Sequence, residues 1–120
     1  MAVVTRRRSH TAFGSERERK VARLLEAEGW VVFRSAGSFG VCDLVALREP
    51  IYVDPTPNAY GAEARMIEVK GTTRSPWVAW GPAERQALRD AARKAGATPL
   101  LAWWPTHGPL QWIGEAEWPA

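Results

Sequence analysis

Apolar side chains return every three or four positions between Ser15 and Glu28, which is the spacing of one face of an amphipathic helix. Ser15 with Glu18 fits the capping-box pattern at the start of such a helix, and Gly29 is a natural residue to end it. The sequence therefore predicts a helix over Ser15–Glu28.

Five further segments are rich in β-branched, aromatic and other apolar residues, as expected for strands of a sheet. They are Trp30–Arg34, Asp43–Leu47, Arg65–Lys70, Thr98–Trp104 and a short Leu110–Ile113. A second helix is predicted over Pro82–Ala95, because proline favours the first turn of a helix and Gly96 follows the last turn. We expect an α/β fold in which helices flank a mixed central sheet of about five strands.

In two stretches the apolar residues show no clear helical or strand periodicity. The segment Arg48–Ala64 holds three prolines, and it fits either a long hairpin loop, with Ile51–Val53 extending a strand, or an ordered insertion. Residues 1–13 include three consecutive arginines, and they fit either a flexible basic arm or a terminus without function. We predict a flexible arm over 1–13 and a single domain over 14–120.

Composition narrows the class of protein. A chain of 120 residues with 46% hydrophobic and 24% charged residues fits one globular domain, and it has no apolar run long enough to cross a bilayer. The basic N-terminus has no apolar region behind it, so we expect no secretory signal and a cytoplasmic protein. The single cysteine, Cys42, excludes an intramolecular disulfide, and we expect it to be a small buried hydrophobe.

The net charge of +3 is unevenly distributed. Residues 1–34 carry eight Lys or Arg against four Glu, whereas the rest of the chain carries eight against nine acidic residues. A basic N-terminal third suits a polyanion such as nucleic acid, because Lys and Arg displace its counterions. Many soluble domains have a similar charge, so this observation alone does not identify the partner.

The candidate chemistry lies on the second and third predicted strands. Side chains alternate across a strand, so Glu68 and Lys70 share one face while Val69 points to the other. If the strand of Asp43 pairs with this one, Asp43 can lie beside Glu68. Two carboxylates repel each other unless a cation lies between them, and oxygen ligands suit Mg²⁺ or Mn²⁺.

A metal ion held there could activate water and polarise a phosphodiester, and Lys70 could stabilise the developing charge. The alternative is a surface ion pair between Glu68 and Lys70, with Asp43 capping a turn. A Glu-x-Lys tripeptide alone is too common to decide between the two.

Several motifs occur in a fixed order along residues 14–70 and give a more specific signal. They are Glu18-Arg19, Gly29-Trp30, Arg34-Ser35-Ala36-Gly37-Ser38, Asp43-Leu44-Val45-Ala46 and Ile67-Glu68-Val69-Lys70, followed by Thr72. In this order they resemble the archaeal-type Holliday junction resolvases, a branch of the PD-(D/E)xK nuclease superfamily. The segment Arg48–Ala64 is longer than the tight hairpin of that family.

The resemblance implies a restriction-endonuclease-like core whose active site comprises Glu18, Asp43, Glu68 and Lys70. It implies that the three carboxylates bind Mg²⁺, with Mn²⁺ as a substitute, and that Lys70 is the catalytic lysine. It also implies a homodimer that makes paired symmetric nicks in a four-way DNA junction, without a membrane or a small-molecule cofactor. Without the resemblance, Glu18 is equally consistent with a residue on the solvent-exposed face of the helix.

The expected DNA contacts combine the basic arm with residues near the scissile phosphate. They are Arg6, Arg7, Arg8, Arg19, Arg34, Ser35, Ser38 and Arg74. Two other readings stay open at this point. The chain could be a related repair or restriction nuclease that acts on another DNA structure, or a DNA-binding module without catalysis.

The chain holds seven tryptophans, of which two adjacent ones are informative. Trp103 and Trp104 must point to opposite faces of a strand, and they fit either a dimer contact or a two-sided core. Trp77 and Trp80 flank the segment after Lys70, where they fit base stacking or packing against the second helix.

Overall fold

The computed structural model of the chain describes residues 2–35, 40–50 and 62–120, with side chains from residue 14 onward. Its centre is a five-stranded mixed sheet in the spatial order β1-β2-β3-β4-β5. The strands are β1 (Val31–Arg34), β2 (Leu44–Arg48), β3 (Glu63–Thr72), β4 (Thr98–Pro105) and β5 (Gln111–Gly114). Neighbours are antiparallel except β3 and β4, which are parallel. The predicted α/β fold with a mixed sheet of about five strands is confirmed.

The helices are α1 (Ala2–Ala27), α2 (Pro76–Ala79) and α3 (Pro82–Ala95), and a short 3₁₀ helix covers Glu115–Glu117. The bounds predicted for α3 are confirmed. Gly96 follows it with φ of 67°, a left-handed conformation that favours glycine and ends the helix. None of the described helices is both long and apolar enough to cross a membrane.

The predicted start of the first helix, at Ser15, is wrong, because α1 runs back to Ala2. The stretch before Ser15 has no apolar period, but its residues 2–13 include no glycine or proline that would interrupt a helix. Ser15 therefore lies inside α1 and does not cap it. The flexibility and function of the arm over 1–13, and the boundary at residue 14, stay predictions.

The sheet buries an apolar cluster on each face. On one side, α1 packs Val21 and Leu25 against a cluster that includes Ile67 and Val69 of β3. On the other side, residues of α3 and of the C-terminal segment cover a second cluster that includes Leu88 and Leu101. In this three-layer arrangement, α1 meets the sheet near the start of β2 and the second half of β3, which are paired with each other.

The four tryptophans of interest belong to these clusters. Trp104 packs against the α1 cluster and Trp103 against the α3 cluster, so the two point to opposite faces and support a two-sided core. Trp80 is fully buried, and Trp77 stacks on it with ring centroids 6.3 Å apart. The packing interpretation of Trp77 and Trp80 therefore holds in this structure.

The segment Arg48–Ala64 is described only at its ends. Arg48 closes β2 and forms an ion pair with Glu63 at the start of β3, with 3.1 Å between Nε and Oε2. The predicted strand extension over Ile51–Val53 lies outside the described residues. The described ends therefore support a connection between two antiparallel strands.

Candidate active site

Asp43 lies directly before β2 and is held against β3 by two hydrogen bonds. Its backbone N–H donates to the carbonyl of Ile67 at 3.0 Å. Its carboxylate oxygen Oδ2 accepts a hydrogen bond from the backbone N–H of Val69 at 2.8 Å. The Asp43 side chain thus accepts a backbone hydrogen bond that a carbonyl of a neighbouring strand would otherwise accept. This bond fixes the carboxylate against β3.

Glu68 and Lys70 lie on β3 opposite this point. The pairing of Leu44 with Ile67 puts Glu68 next to Asp43, and the two carboxyl groups lie within hydrogen-bonding reach of each other. The Lys70 ammonium nitrogen is 3.7 Å from Oε2 of Glu68, and only 11% of the Glu68 side chain is exposed. The structure therefore brings Asp43, Glu68 and Lys70 together on one side of the sheet.

Burial, together with the adjacent Asp43 carboxyl group, raises the pKa of Glu68 from 4.5 to about 9, and Lys70 opposes this increase. The exposed Glu84, in the first turn of α3, adds to the increase. A buried carboxyl group beside another carboxyl group favours its protonated form, because both desolvation and like charge penalise ionisation. At neutral pH and without a cation, the folded protein therefore favours the protonated form of Glu68.

We expect Glu68→Gln to stabilise the metal-free protein increasingly as the pH rises. The pKa of Glu68 is raised in the folded state, so the wild type loses stability between about pH 4.5 and about pH 9, whereas the substituted amide does not titrate. In a chelating buffer, the difference in unfolding temperature should grow by on the order of 10 °C between about pH 5 and about pH 8.

Thermal unfolding followed by circular dichroism measures this difference. Glu117→Gln, at an exposed position, is the matched control and should show no such trend. A difference for Glu68→Gln that stays constant or shrinks with pH would contradict the proximity of the two carboxyl groups.

Glu18 approaches the same place from α1. Its carboxylate forms an ion pair with Arg34 at the end of β1, with 3.5 Å between Oε1 and Nη2. Burial and the nearby Asp43 raise the pKa of Glu18, while Arg34 and Lys70 oppose the increase. Glu18 is therefore within electrostatic range of the Asp43 and Lys70 charges.

Asp43 and Glu68 fit a hard divalent cation. Both offer carboxylate oxygens, and a cation between them would offset the burial and the Asp43 charge that raise the pKa of Glu68. Among the residues that the structure describes, no group of three or more His, Cys, Asp or Glu side chains is arranged to hold a metal ion. The three-carboxylate set is therefore not assembled here, and the role of Glu18 as a ligand stays a prediction.

Cys42 adjoins this site without belonging to its chemistry. It is buried, and its thiol donates to the carbonyl of Leu44 at 3.4 Å. Burial raises the pKa of Cys42 to about 11, so the thiolate needed of a nucleophile is disfavoured. The prediction of a buried small hydrophobe is confirmed.

The residues expected to contact DNA are only partly described. Arg19 is exposed on α1, Arg34 is paired with Glu18, and Arg74 is exposed after β3. Ser35 lies at the end of β1, where its N–H donates to the carbonyl of Asp43 at 2.9 Å. Ser38 and the side chains of Arg6, Arg7 and Arg8 lie outside the described part of the chain. The structure therefore places Arg34 and Ser35 beside the candidate site, and their contact with DNA stays a prediction.

Two residues near the site were missed by sequence reasoning. Glu84 faces Glu68 from α3, and Arg17 lies over Gly71, the residue after Lys70. An acidic residue in the first turn of a helix is too common to be a signal for Glu84. The position of Arg17 depends on how α1 packs on β3, which no local pattern specifies.

The comparisons with known proteins agree with this geometry. The family model of the archaeal Holliday junction resolvases (Hjc) matches residues 9–116. The structure is similar to that of Hjc, a Holliday junction resolvase from the archaeal hyperthermophile Archaeoglobus fulgidus. The TM-score is 0.61 with 20% sequence identity, covering 84% of this chain and 71% of that chain. At this identity the structural likeness shows the fold alone. The comparison with curated proteins gives no match.

Proposed function

Because the chain belongs to the archaeal Holliday junction resolvase family, we propose that it is an endonuclease that resolves four-way DNA junctions. The observation that carries the proposal is the convergence of Asp43, Glu68 and Lys70 at the paired ends of β2 and β3. A module that only binds DNA has no use for the Asp43 carboxylate beside the buried Glu68, since negative charge repels phosphate. Metal-assisted hydrolysis of a phosphodiester uses such carboxylates to hold the cation.

We propose that Asp43 and Glu68 bind Mg²⁺, for which Mn²⁺ can substitute, and that Glu18 assists from α1. Nucleases of this family generally use divalent metals. Held by Asp43 and Glu68, a divalent ion would polarise the scissile phosphate and would make the attacking water easier to deprotonate. The hydrogen bond from Val69 to Asp43 keeps that carboxylate aimed at the site, so little reorganisation is needed on binding.

In this proposal Lys70 acts on the phosphate itself. Its ammonium group lies beside Glu68 and is partly exposed, with 27% of the side chain accessible, so it can reach a strand laid over the site. There it donates hydrogen bonds to a non-bridging phosphate oxygen, where negative charge develops during hydrolysis. The positive charge of Arg34 offsets the negative charge of Glu18. This reduces the electrostatic repulsion between the site and an approaching DNA strand.

We further propose that the enzyme is a homodimer with one active site per subunit, and that it nicks two strands of a junction symmetrically. Binding should depend on junction shape and backbone charge rather than on base edges. The cytoplasmic location also stays a prediction. On a plasmid with an extruded cruciform, paired nicks give linear product, whereas independent single nicks first give open circles.

We expect the wild type to cut a four-way junction only when Mg²⁺ or Mn²⁺ is present, and to leave a duplex of equal length largely intact. The measurement compares the two labelled substrates, with and without the metal, under single-turnover conditions. Equal cutting of duplex, or better cutting of flaps or mismatches, would replace the junction assignment by a related repair or restriction nuclease. Binding without cutting under either metal would indicate a non-catalytic module.

A further inference from the structure

A groove opens at the end of β3, directly beyond the candidate active site. It has a volume of about 410 Å³, and its walls come from α1, from the turn after β3 and from the segment after β4. Its polar lining consists of Arg17, Thr72, Thr73, Arg74, Ser75 and Thr106. We call this the Arg17 groove.

The Arg17 groove lies at the same end of β3 as the candidate site. Gly71, which lines the groove, follows Lys70 on β3 but faces α1, whereas Lys70 points to the other face of the sheet. Arg17 precedes Glu18 on α1, and Glu18 is within electrostatic range of Asp43 and Lys70. A DNA strand that leaves the candidate site past this end of β3 would therefore pass the groove.

Arg17 occupies the space that a side chain at position 71 would need. A Cβ atom built on Gly71 would lie 2.5 Å from Cζ and 2.7 Å from Cδ of Arg17, closer than real contacts allow. The absence of a side chain at Gly71 thus lets the Arg17 guanidinium lie against the β3 backbone. Gly71 is a positioning residue for Arg17.

The turn that forms the opposite wall is held by the hydroxyl of Thr72. This hydroxyl donates to the carbonyl of Arg74 at 2.5 Å and accepts a hydrogen bond from Nε1 of Trp103 at 2.9 Å. These two bonds tie the backbone of Arg74 to β4. The groove is therefore formed by fixed backbone on the side that faces Arg17.

The charge of the groove favours an anion. It is lined by two arginines and by no acidic residue of the described chain. Neither Arg17 nor Arg74 forms an ion pair with a carboxylate in the part of the chain that the structure describes. Guanidinium groups bind phosphate in a bidentate way, and hydroxyl groups add further donors.

We propose that the Arg17 groove binds a backbone phosphate of the DNA strand next to the scissile phosphate, with Arg17 as the principal ligand and Arg74 opposite it. The proposal rests on the proposed function, because the strand at the active site supplies the neighbouring phosphate. The contact fixes the register of the strand over Lys70 and reads no base. It adds Arg17, which the sequence motifs did not include, to the DNA-binding surface.

The test compares Arg17→Ala with Arg23→Ala, which removes an exposed arginine of the same helix and changes the net charge equally. Junction binding is measured by fluorescence anisotropy in EDTA over a series of salt concentrations. Arg17→Ala should weaken binding about tenfold and lower the magnitude of the salt slope by about 1, and Arg23→Ala should stay within about twofold of wild type. Equal effects of the two substitutions would overturn the proposal.

Gly71→Ala tests how Arg17 is held. Its Cβ displaces the guanidinium, so it should weaken junction binding by several-fold in the wild type but by less than about twofold in the Arg17→Ala background. Full additivity of the two substitutions would show that Gly71 does not act through Arg17. Arg17→Met keeps the aliphatic contact over Gly71, and it should reproduce the binding loss at an unchanged unfolding temperature.

A junction with a single uncharged methylphosphonate beside the cut locates the phosphate. Such a linkage should weaken binding by the wild type and have little further effect on Arg17→Ala, whereas equal losses for both proteins would contradict the assignment. All these measurements follow binding without cleavage. A wild type that binds through Arg17 but never cuts refutes the proposed function alone, and a wild type that cuts junctions while Arg17→Ala binds normally refutes this inference alone.

Discussion

Asp43→Asn is expected to lower the rate of junction cleavage by at least about 10³-fold while junction affinity stays within about twofold of wild type. The substitution removes the negative charge that holds a divalent ion but keeps the size and shape of the side chain. The amide oxygen of asparagine can still accept the hydrogen bond from the Val69 N–H that Asp43 accepts now. The fold and the DNA surface should therefore be preserved while the chemistry is lost.

Single-turnover cleavage at saturating enzyme measures the chemical step, and anisotropy in EDTA measures binding separately. Asp90→Asn, on the outer part of α3, is the matched control and should cleave like wild type. Cleavage by Asp43→Asn within about tenfold of wild type would mean that the Asp43 carboxylate does not hold the ion that supports hydrolysis.

Lys70→Met is expected to reduce single-turnover cleavage by about 10²- to 10³-fold, the effect of losing one charged donor at a transition state. The Lys70 ammonium group lies 3.7 Å from Glu68, so its loss also leaves that carboxyl group without its cationic neighbour. Methionine keeps much of the length of the side chain without its charge. The defect should therefore appear in the cleavage rate, with only a small loss of junction affinity.

Lys94→Met, at an exposed position on α3, removes the same charge away from the site and serves as the control. If Lys70→Met and Lys94→Met cleave at similar rates, Lys70 has no part in the reaction. A defect of Lys70→Met that disappears at saturating enzyme would place Lys70 in DNA binding alone.

The elements best predicted from sequence are those with strong end signals. Pro82 and Gly96 mark the ends of α3 for different reasons: proline has a fixed φ that suits the first turn of a helix, and glycine readily adopts the left-handed conformation that ends one. The start of α1 had no such signal, since the capping-box pair at Ser15 and Glu18 also fits the interior of a helix. Strand alternation placed Trp103 and Trp104 on opposite faces, since the period of two leaves no alternative.

The candidate site was predictable in composition but not in geometry. Alternation along β3 put Glu68 and Lys70 on one face, and the motif order pointed to Asp43 as their partner. The contact between the carboxyl groups depends on the register of β2 against β3, which the turn between them did not specify. The Arg17–Gly71 contact depends on the packing of α1 on the sheet, and such long-range contacts leave no local pattern.

The central claim, that Asp43 and Glu68 together bind a divalent ion, is tested most directly by titrating the protein with Mn²⁺ and counting free ion by electron paramagnetic resonance. The wild type should bind Mn²⁺ in the absence of DNA, and Asp43→Asn and Glu68→Gln should each weaken that binding by at least about tenfold. Equal Mn²⁺ affinity in all three proteins would contradict the account.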